Sequence, residues 1–291
     1  MILAINYADR TFERAQIMNS KSAFKFGADH VICYGPDSIS EMYKQKNIEI
    51  WSRKRGGGYW IWKPYIIKDA LSKVEDGDYV IYTDSGAAFI NKIDFLIRDM
   101  NRANTDIMVF SLPKLEKQYT KRDAFILMGC DKPEFTDTPQ RCGTYLVLRK
   151  SIRTEKFIDE YLKYVQDKRI VTDDENVMGK SNYEGFIEHR HDQSVLSLLS
   201  KKYKIDAFRD PSQYGLEGNI GLEEVCERST YPQVLDSHRD RNITTSWFIY
   251  KHTPANIRLR LEELPFRYVK SKIKGLVQKS LKLCRQGLRK H

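Results

Sequence analysis

Residues 80–86, VIYTDSG, carry the clearest chemical signal in the chain. An apolar segment runs directly into an acidic residue, Asp84, which is followed by Ser85 and Gly86. Open α/β sheets bind ligands at the carboxyl ends of their strands, where this pattern places the carboxylate. A carboxylate there can hold a hard divalent cation, which in turn neutralises a pyrophosphate, and glycine permits close approach of a ligand. The alternative is that Asp84 merely caps a following helix.

Residues 56–64, GGGYWIWKP, form a second candidate, an anion-binding loop. Three glycines and alternating aromatic residues precede Lys63 and a helix start at Pro64. A helix N-terminus offers unpaired N–H groups, and Lys63 adds a full positive charge beside them. A glycine-rich loop alone is a weak motif, and this one is not a Walker A sequence. The alternative is that Trp60 and Trp62 pack in the core.

Residues 188–194, EHRHDQS, place an acid, an amide and two imidazoles in one turn at the head of an apolar helix. Asp192 and Gln193 are both expected to point toward whatever that turn faces. The alternative is that Asp192 only caps the helix and that His189 and His191 are solvated. Metal binding by these two histidines alone is not expected, because no further ligand lies at the necessary spacing.

The elements that must position these residues alternate between strand and helix signals. Strands are expected at residues 2–5, 31–34, 79–83, 107–110 and 144–148. Helices are expected at residues 11–26, 38–46, 64–73, 94–102, 154–167 and 192–201. This order predicts one continuous α/β domain over residues 1–250, in which helices cover a sheet, followed by a separate tail over residues 251–291.

Composition agrees with a folded enzyme-sized domain. The 291 residues are 41 % hydrophobic and 12 % aromatic, which excludes wholesale disorder. No segment approaches the ~20 apolar residues that cross a bilayer, and the N-terminus is typical of a first strand, not of a signal peptide. Five scattered cysteines without a CxxC pair predict a reducing cytoplasm.

The net charge of +10 lies in the tail, since residues 251–291 hold twelve Lys or Arg against two Glu. The main domain is therefore balanced and carries no nucleic-acid-binding motif, so nucleic acid is not an expected partner. Within residues 266–290, apolar side chains recur at three- and four-residue steps among lysines. This pattern predicts a basic amphipathic helix that lies on an anionic membrane surface. The alternative is a helix that docks on its own domain or on a second copy.

Four segments in order resemble bacterial glycosyltransferases encoded with capsule and surface-polysaccharide genes. They are GGGYWIWKPYII, DGDYVIYTDSG, KRDAFILMGCD followed by QRCGTYLVLRKS, and EHRHDQSVLSLL. The resemblance covers residues 1–250 and implies a GT-A fold, a Rossmann-like mixed sheet flanked by helices. It further implies a nucleotide-sugar donor, UDP-linked, bound beside a metal-binding acidic motif at the switch point of the sheet.

More distantly, the layout is similar to the retaining galactosyl- and glucosyltransferases that include glycogenin. Those enzymes carry a DxD motif, a later Asp-Gln pair near the donor sugar and a C-terminal histidine that completes the metal site. By this resemblance Asp84 is the first acid, Asp192 and Gln193 are the catalytic pair, and His238 in the segment DSHRDR is the metal histidine. The residues that would then contact the base and ribose are Asn6, Tyr7 and Ala8.

This sequence departs from the DxD pattern at Gly86, where the second acid is missing. Either Asp84 and His238 suffice to hold Mn²⁺ or Mg²⁺ with the pyrophosphate, or the enzyme works without a metal. In the second case Lys63 or Arg190 would neutralise the leaving group. Both possibilities stay open at this point.

The resemblance implies transfer of a hexose to a hydroxyl of a lipid-linked or growing surface glycan. The protein would be cytoplasmic and peripheral on the inner face of the membrane. Two alternatives remain from the residues alone. One is a different nucleotide-using transferase, such as a nucleotidyltransferase, and the other is a catalytically inactive relative that binds glycan or nucleotide.

Overall fold

The computed structural model describes residues 1–215, 225, 227–244 and 251–252. The chain divides into two compact units, Met1–Arg239 and Asp240–His291, and most of the second lies outside the described residues. The expected amphipathic helix at 266–290 falls in that part, so its membrane role and the predicted boundary at residue 250 stay predictions. Within the described ranges, no helix combines the length and the apolar character needed to span a bilayer.

The first unit is built on a seven-stranded mixed sheet with a separate two-stranded ribbon. In chain order the strands are β1 (Ile2–Tyr7), β2 (His30–Tyr34), β3 (Tyr79–Thr83), β4 (Ala88–Phe89), β5 (Ile107–Leu115), β6 (Pro139–Arg141), β7 (Tyr145–Arg149), β8 (Ala207–Phe208) and β9 (Leu235–Asp236). The main sheet has the order β2-β1-β3-β7-β5-β6, with β8 paired to β5, and β4 pairs with β9 in the ribbon.

The directions of the strands show which strand ends meet at one edge of the sheet. Strand β1 pairs in parallel with both β2 and β3, so these three strands end at one edge. Strand β7 runs antiparallel to β3 and to β5. The segment that precedes β7 therefore arrives at the same edge where β3 ends, and the backbone N–H of Asp84 donates to the carbonyl of Thr144 there, at 2.9 Å.

In the part of the chain that the structure describes, twelve helical segments surround the sheet. They are α1 (Glu13–Lys25), α2 (Glu41–Lys46), α3 (Ile48–Trp51), α4 (Gly56–Tyr59), α5 (Trp62–Leu71), α6 (Asp94–Arg102), α7 (Glu116–Tyr119), α8 (Arg122–Leu127), α9 (Pro133–Thr136), α10 (Ile152–Val165), α11 (Lys168–Val171) and α12 (His191–Lys202). Short 3₁₀ turns occur at Pro36–Ser38 and Gln213–Gly215.

Successive strand side chains point to opposite faces of the sheet, and both faces are buried in apolar core clusters. In β3, Val80 and Tyr82 pack into one core cluster while Ile81 packs into the other. The first cluster contains apolar side chains of α5, α10 and α12, and the second contains side chains of α1 and α6. The near-continuous apolar sequence of β3 follows from this two-sided burial.

The prediction of a Rossmann-like α/β sheet flanked by helices is confirmed. The predicted bounds of β3 and α6 are those observed, and the other predicted elements shift by a few residues. The prediction of a plain loop at 53–58 is wrong in part, because Gly56–Tyr59 forms a helical turn.

Candidate functional site

The candidate site lies at the switch point of the sheet, where the chain leaves β1 toward β2 on one side and later returns to β3 on the other. Ligands of open α/β sheets bind in the crevice at such a point, beyond the carboxyl ends of the strands. Tyr7 ends β1 and Asp84 directly follows β3. The Ser85 hydroxyl donates to the Tyr7 carbonyl at 2.6 Å, which ties the two strand ends together.

A buried ammonium group forms the centre of the site. The Nζ atom of Lys63, on α5, lies 2.6 Å from Asp192 Oδ2 and 3.7 Å from Asp84 Oδ1. It also donates to the carbonyl of Gly143 at 2.9 Å. Lys63 and Asp192 are 4 % and 3 % exposed, whereas the Asp84 side chain is 38 % exposed. The group therefore consists of two carboxylates joined by one ammonium, with only Asp84 open to solvent.

Two tyrosine hydroxyls complete the hydrogen bonds of the carboxylates. Tyr82 donates to Asp84 Oδ1 at 2.5 Å, and Tyr161 donates to Asp192 Oδ2 at 3.2 Å. Burial raises the pKa of both tyrosines well above its ordinary value, so both remain hydrogen-bond donors. Burial acts to lower the pKa of Lys63, but attraction to Asp192 and Asp84 outweighs it, and the pKa is raised. Lys63 therefore stays charged at neutral pH.

The Gln193 amide positions the backbone that Lys63 contacts. Its Oε1 accepts the N–H of Gly143 at 3.0 Å, and its Nε2 donates to Gln140 Oε1 at 2.7 Å. A Cβ atom at Gly143 would lie 2.9 Å from the Cβ of Gln193, so only glycine fits there. Gln140 in turn donates to the buried Glu116 carboxylate at 3.0 Å. A continuous chain of hydrogen bonds thus runs from Glu116 to Lys63.

The three glycines serve a left-handed turn that precedes Lys63. Gly56, Gly57 and Gly58 all have positive φ, and Tyr59 and Trp60 continue with φ of 52° and 59°. Left-handed backbone costs L-residues free energy but costs glycine little. A Cβ atom at Gly58 would also lie 2.9 Å from the Cα atom of Trp51, the last residue of the preceding helix α3. The glycines therefore allow this left-handed backbone, and the expected role of the loop in anion binding stays a prediction.

Trp60 and Trp62, at the end of this turn, have different surroundings. Trp62 stacks on Tyr7 with ring centroids 3.7 Å apart and donates to the carbonyl of Gly56 at 3.0 Å. It is buried, so the core-packing interpretation holds for this residue. Trp60 lines a cavity next to Lys63 and is partly exposed.

The two histidines of the 188–194 segment are buried, so the alternative interpretation, in which they are solvated, is wrong. Nε2 of His189 lies 2.8 Å from the carbonyl of Ile170, and its Nδ1 accepts the Lys121 N–H at 3.2 Å. Nδ1 of His191 lies 2.9 Å from the carbonyl of Val171. Burial lowers the pKa of both imidazoles, which keeps them neutral. The interpretation of Asp192 as a cap alone is also wrong, because its carboxylate binds Lys63.

A cavity of about 190 Å³ opens over these residues. Its charged lining residues are three cations and three acids: Arg55, Lys63, Arg190, Asp84, Glu188 and Asp192. At the rim, a guanidinium nitrogen of Arg190 lies 2.6 Å from Glu188 Oε1, and one of Arg55 lies 3.6 Å from Glu188 Oε2. The cavity is smaller than the ~300–1,000 Å³ of typical ligand sites, so it suits one part of a larger ligand.

The strand-end residues expected at the nucleotide are unequally accessible. Asn6 is fully buried and its amide donates to Asn19 at 2.8 Å, and Ala8 is buried as well. Tyr7 is partly exposed and is the one of the three with surface available to a base. The nucleotide-binding roles of all three stay predictions.

The segment that contains His238 does return to the Asp84 loop. Strand β9 pairs with β4, and the N–H of Arg239 donates to the carbonyl of Gly86 at 2.8 Å. A Cβ atom at Gly86 would lie 3.2 Å from the Cα of Arg239, so glycine allows this close packing. Gly86, which replaces the second acid of the DxD pattern, thus lies where the Asp84 loop packs against the segment that contains Arg239.

The donor atoms near Asp84 fit a divalent ion poorly. Mg²⁺ and Mn²⁺ require about six oxygen-type ligands, and among the described residues no group of three acidic, histidine or cysteine side chains is arranged to hold a metal. One oxygen of Asp84 already accepts a hydroxyl, and a buried ammonium lies 3.7 Å from it. The metal pair Asp84 and His238 stays a prediction.

The structure brings five of the predicted site residues into one cavity lining: Lys63, Asp84, Arg190, Asp192 and Gln193. Sequence reasoning missed Gly143, Thr144 and Arg55 in that lining, and Tyr82 and Tyr161 behind it. Of these, Gly143 had a local signal, because it stands immediately before the predicted strand at 144–148, and that strand begins at the edge where Asp84 lies.

No protein-family model matches the chain, and no curated protein matches it. Among solved structures, the fold is similar to the bifunctional glycosyltransferase WbbM, with 10 % identity and a TM-score of 0.40 over 68 % of this chain. The chain spans only 37 % of the length of WbbM.

Two further solved structures match over most of both chains. Mouse xyloside xylosyltransferase 1 matches with 10 % identity and a TM-score of 0.42, over 81 % of this chain and 96 % of its own. The galactosyltransferase LgtC, solved with donor and acceptor sugar analogues, matches with 14 % identity and a TM-score of 0.47, over 88 % and 99 %. The chain is thus similar to three glycosyltransferases, the class that the sequence resemblance names.

Proposed function

We propose that this chain is a glycosyltransferase that moves a hexose from a nucleotide-sugar, UDP-linked, to a hydroxyl of a lipid-linked or growing glycan. The observation that carries the proposal is the position of the Asp84–Lys63–Asp192 group at the switch point of the sheet. Nucleotides bind α/β sheets at this switch point, and charged groups held there stabilise the opposite charges that develop as a bond breaks heterolytically.

The leaving diphosphate is the first chemical requirement. As the bond between the anomeric carbon and the phosphate oxygen breaks, negative charge develops on the diphosphate and positive charge on the carbon. Lys63 provides a charge that cannot move away, because its ammonium is held by Gly143 and Asp192. Within the described ranges, the ion-pair partners of Arg190 and Arg55 at the rim are partly exposed acids, so a diphosphate can compete for these guanidinium groups.

The carbon and the incoming hydroxyl are the second requirement. Asp192 offers a carboxylate that binds hydroxyls of the donor sugar, or takes the proton of the acceptor if the reaction inverts. Gln193 would lie beneath the anomeric carbon if the reaction retains configuration. Because both ends of its amide are engaged by Gly143 and Gln140, Gln193 is better suited to hold the site in shape than to react.

Binding of nucleotides is the first test. Thermal unfolding of the purified chain is measured with UDP, GDP, CMP and ADP, each with and without Mn²⁺. Stabilisation by UDP is expected, because a ligand that binds only the folded state raises its stability. A shift that grows with Mn²⁺ would support a metal held between Asp84 and the diphosphate, and an equal shift would support Lys63 alone. No shift with any nucleotide would contradict the proposal.

Turnover is the second test, and it separates the alternatives. Release of free UDP from a UDP-sugar supports the transferase, whereas release of pyrophosphate from UTP supports a nucleotidyltransferase. Asp84→Asn should abolish most of this turnover. Asp159→Asn is a matched control, because this acid is exposed and, in the described part of the chain, pairs with Lys68 alone. An Asp84→Asn variant with full turnover would remove Asp84 from the site, and nucleotide binding without any turnover would support the inactive relative.

The lipid-linked acceptor adds a membrane prediction. The full chain should bind vesicles of phosphatidylglycerol more strongly than vesicles of phosphatidylcholine, and salt should weaken the binding. Equal binding to both vesicle types would contradict the placement of the protein on an anionic membrane face.

A further inference from the structure

Gln140 on β6 is a fully buried amide outside the cavity lining, yet hydrogen bonds connect it to Lys63. Its Oε1 accepts the Gln193 amide at 2.7 Å, and Gln193 Oε1 accepts the Gly143 N–H at 3.0 Å. The Gly143 carbonyl then receives the Lys63 ammonium at 2.9 Å. Two hydrogen-bonded residues thus separate Gln140 from the central cation of the site.

The neighbours of Gln140 determine which way its amide points. Its Nε2 lies 3.0 Å from Glu116 Oε1 and 3.2 Å from the Tyr119 carbonyl, and a carboxylate and a carbonyl can only accept. The Lys201 ammonium, 2.5 Å from the other oxygen of Glu116, compensates the buried negative charge. Turning the amide by 180° would bring its oxygen against both acceptors. The nitrogen therefore faces Glu116, and the oxygen faces Gln193.

This orientation is passed on to Gln193 and then to Gly143. Because Gln140 presents an oxygen, Gln193 must present its NH₂ group there, which leaves its own oxygen for the Gly143 N–H. A Cβ atom at Gly143 would lie 2.9 Å from the Cβ of Gln193, so the two residues pack closely. Glycine has more backbone freedom than other residues, so its carbonyl keeps one position only where neighbouring groups hold the backbone.

We propose that Gln140 is a positioning residue for the transfer, because it fixes the amide of Gln193 and thereby the Gly143 carbonyl that holds Lys63. The inference rests on the proposed transferase function, in which Lys63 faces the charge that develops on the leaving diphosphate. A preorganised charge stabilises a transition state only while its position is maintained. Gln140 itself touches no reacting group and acts through the two residues between.

Two substitutions of Gln140 separate its hydrogen bonds from its packing. Gln140→Met keeps the length of the side chain and removes the acceptor for Gln193, while the Glu116 carboxylate retains donors from Thr120 and Lys201. Gln140→Glu places a second carboxyl beside Glu116, and two such groups about 3 Å apart share a proton. Whichever acid carries that proton, Gln193 still faces an acceptor, so Gln140→Glu is the conservative variant.

Asn47→Leu is the matched control for the loss of a buried amide. Asn47 is 6 % exposed and donates to the Tyr43 carbonyl at 2.9 Å and to Gln166 at 3.3 Å. These three residues are not part of the cavity lining. The control therefore removes buried hydrogen bonds of similar kind without touching the connection to Lys63.

Turnover of the full chain is measured as release of UDP from UDP-glucose, UDP-galactose and UDP-N-acetylglucosamine at pH 6. In Gln140→Met the kcat should fall about fivefold, the worth of one neutral hydrogen bond. The KM should stay within about twofold, because the lost interaction acts mainly as charge develops. Gln140→Glu should restore most of the kcat, and Asn47→Leu should leave it unchanged.

Hydrogen exchange of the Gly143 amide gives a measurement that needs no turnover. Its N–H is protected by Gln193, so exchange should become faster in Gln140→Met and should stay slow in Gln140→Glu. The amide of Val147, within β7 of the main sheet, serves as the internal reference.

Three outcomes would overturn the inference while the transferase proposal stands. They are a Gln140→Met variant with unchanged kcat and unchanged Gly143 exchange, a Gln140→Glu variant as slow as Gln140→Met, and an equal loss of kcat in Asn47→Leu. The last two would assign the effect to packing or to general stability. If the unmodified chain turns over none of the three UDP-sugars, the proposed function fails and the role in transfer fails with it. The exchange measurement then still decides whether Gln140 positions Gly143.

Discussion

Replacing Lys63 by methionine removes one buried charge and keeps most of the side-chain volume. The ammonium lies 2.6 Å from Asp192, and both residues are almost fully buried. Breaking such a pair leaves a carboxylate without compensation, which typically costs about 3–5 kcal/mol of the free energy of unfolding. The carbonyl of Gly143 also loses its donor, so the upper half of this range is expected.

The chain provides a control on the same helix. Lys68 lies 2.6 Å from Asp159, the same separation, but the side chains are 56 % and 55 % exposed. Lys68→Met should therefore cost only about 0–1 kcal/mol, because exposed pairs contribute little. Both variants are compared by urea unfolding at pH 7, together with the double variant Lys63→Met/Asp192→Leu. The double variant should recover part of the loss, because it removes the stranded carboxylate.

The pH dependence of the Lys63→Met variant gives a further check. Burial raises the pKa of Asp192, so the folded state keeps its proton to higher pH than the unfolded state does. Lys63→Met removes the interaction that lowers this pKa, so the folded-state pKa rises further. The stability that this proton provides is complete below the unfolded-state pKa and is lost as pH rises through the folded-state pKa. The destabilisation should therefore be larger at pH 8 than at pH 5. If Lys63→Met costs no more than Lys68→Met at either pH, the buried charge group does not exist as described.

Two other buried groups give comparable predictions. Glu116→Gln should cost about 3–5 kcal/mol in urea unfolding, because the buried Lys201 loses the carboxylate that lies 2.5 Å away. Glu41→Gln, in an exposed pair, should cost about 0–1 kcal/mol, and equal effects would refute the argument from burial. His191 has a pKa of about 4 against an ordinary 6.5, so its contribution of about 3 kcal/mol is complete above pH 6.5 and is lost as pH falls toward 4. His191→Phe should flatten the dependence of unfolding free energy on pH between 4 and 6.5, and an unchanged slope would contradict this.

Sequence patterns located the sheet edge because the signal there is local. The apolar run of β3 ends at the position where Asp84 begins, and strand propensity alone fixes that boundary. The head of α12 was found in the same way, since a polar turn precedes a continuous apolar helix. Both acids of the site were therefore predictable as residues at the ends of elements.

The contact that joins them was not predictable. Lys63 and Asp192 are 129 positions apart in the chain and meet only after α5 and α12 pack on one face of the sheet. From sequence, Lys63 next to a helix start suggested an exposed cation for phosphate, but the residue is buried and paired. The residues next to Lys63 in sequence do not distinguish an exposed lysine from a buried, paired one, because the difference is the Asp192 carboxylate that α12 contributes.

The glycine run illustrates a second limit. Composition predicts an irregular loop at GGG, yet the backbone forms a left-handed turn that continues through Tyr59 and Trp60. Two non-glycine residues accept unfavourable φ values there, which requires surrounding contacts to enforce them. Those contacts come from residues outside the motif, among them His191, which packs on both aromatic rings.

The unequal burial of the two acids bears on how the site acts. Asp192 is enclosed by Lys63 and Tyr161, so its charge is largely balanced before any ligand arrives. Asp84 is 3.7 Å from the same ammonium and is more exposed, and among the described residues no side chain lies within hydrogen-bond distance of its second oxygen. A ligand that enters the cavity therefore meets Asp84 first and meets Asp192 only after approaching Lys63. Under the proposed transferase function, Asp84 would therefore set the charge that a donor meets on entry, and Asp192 would set how firmly Lys63 is held as the diphosphate leaves.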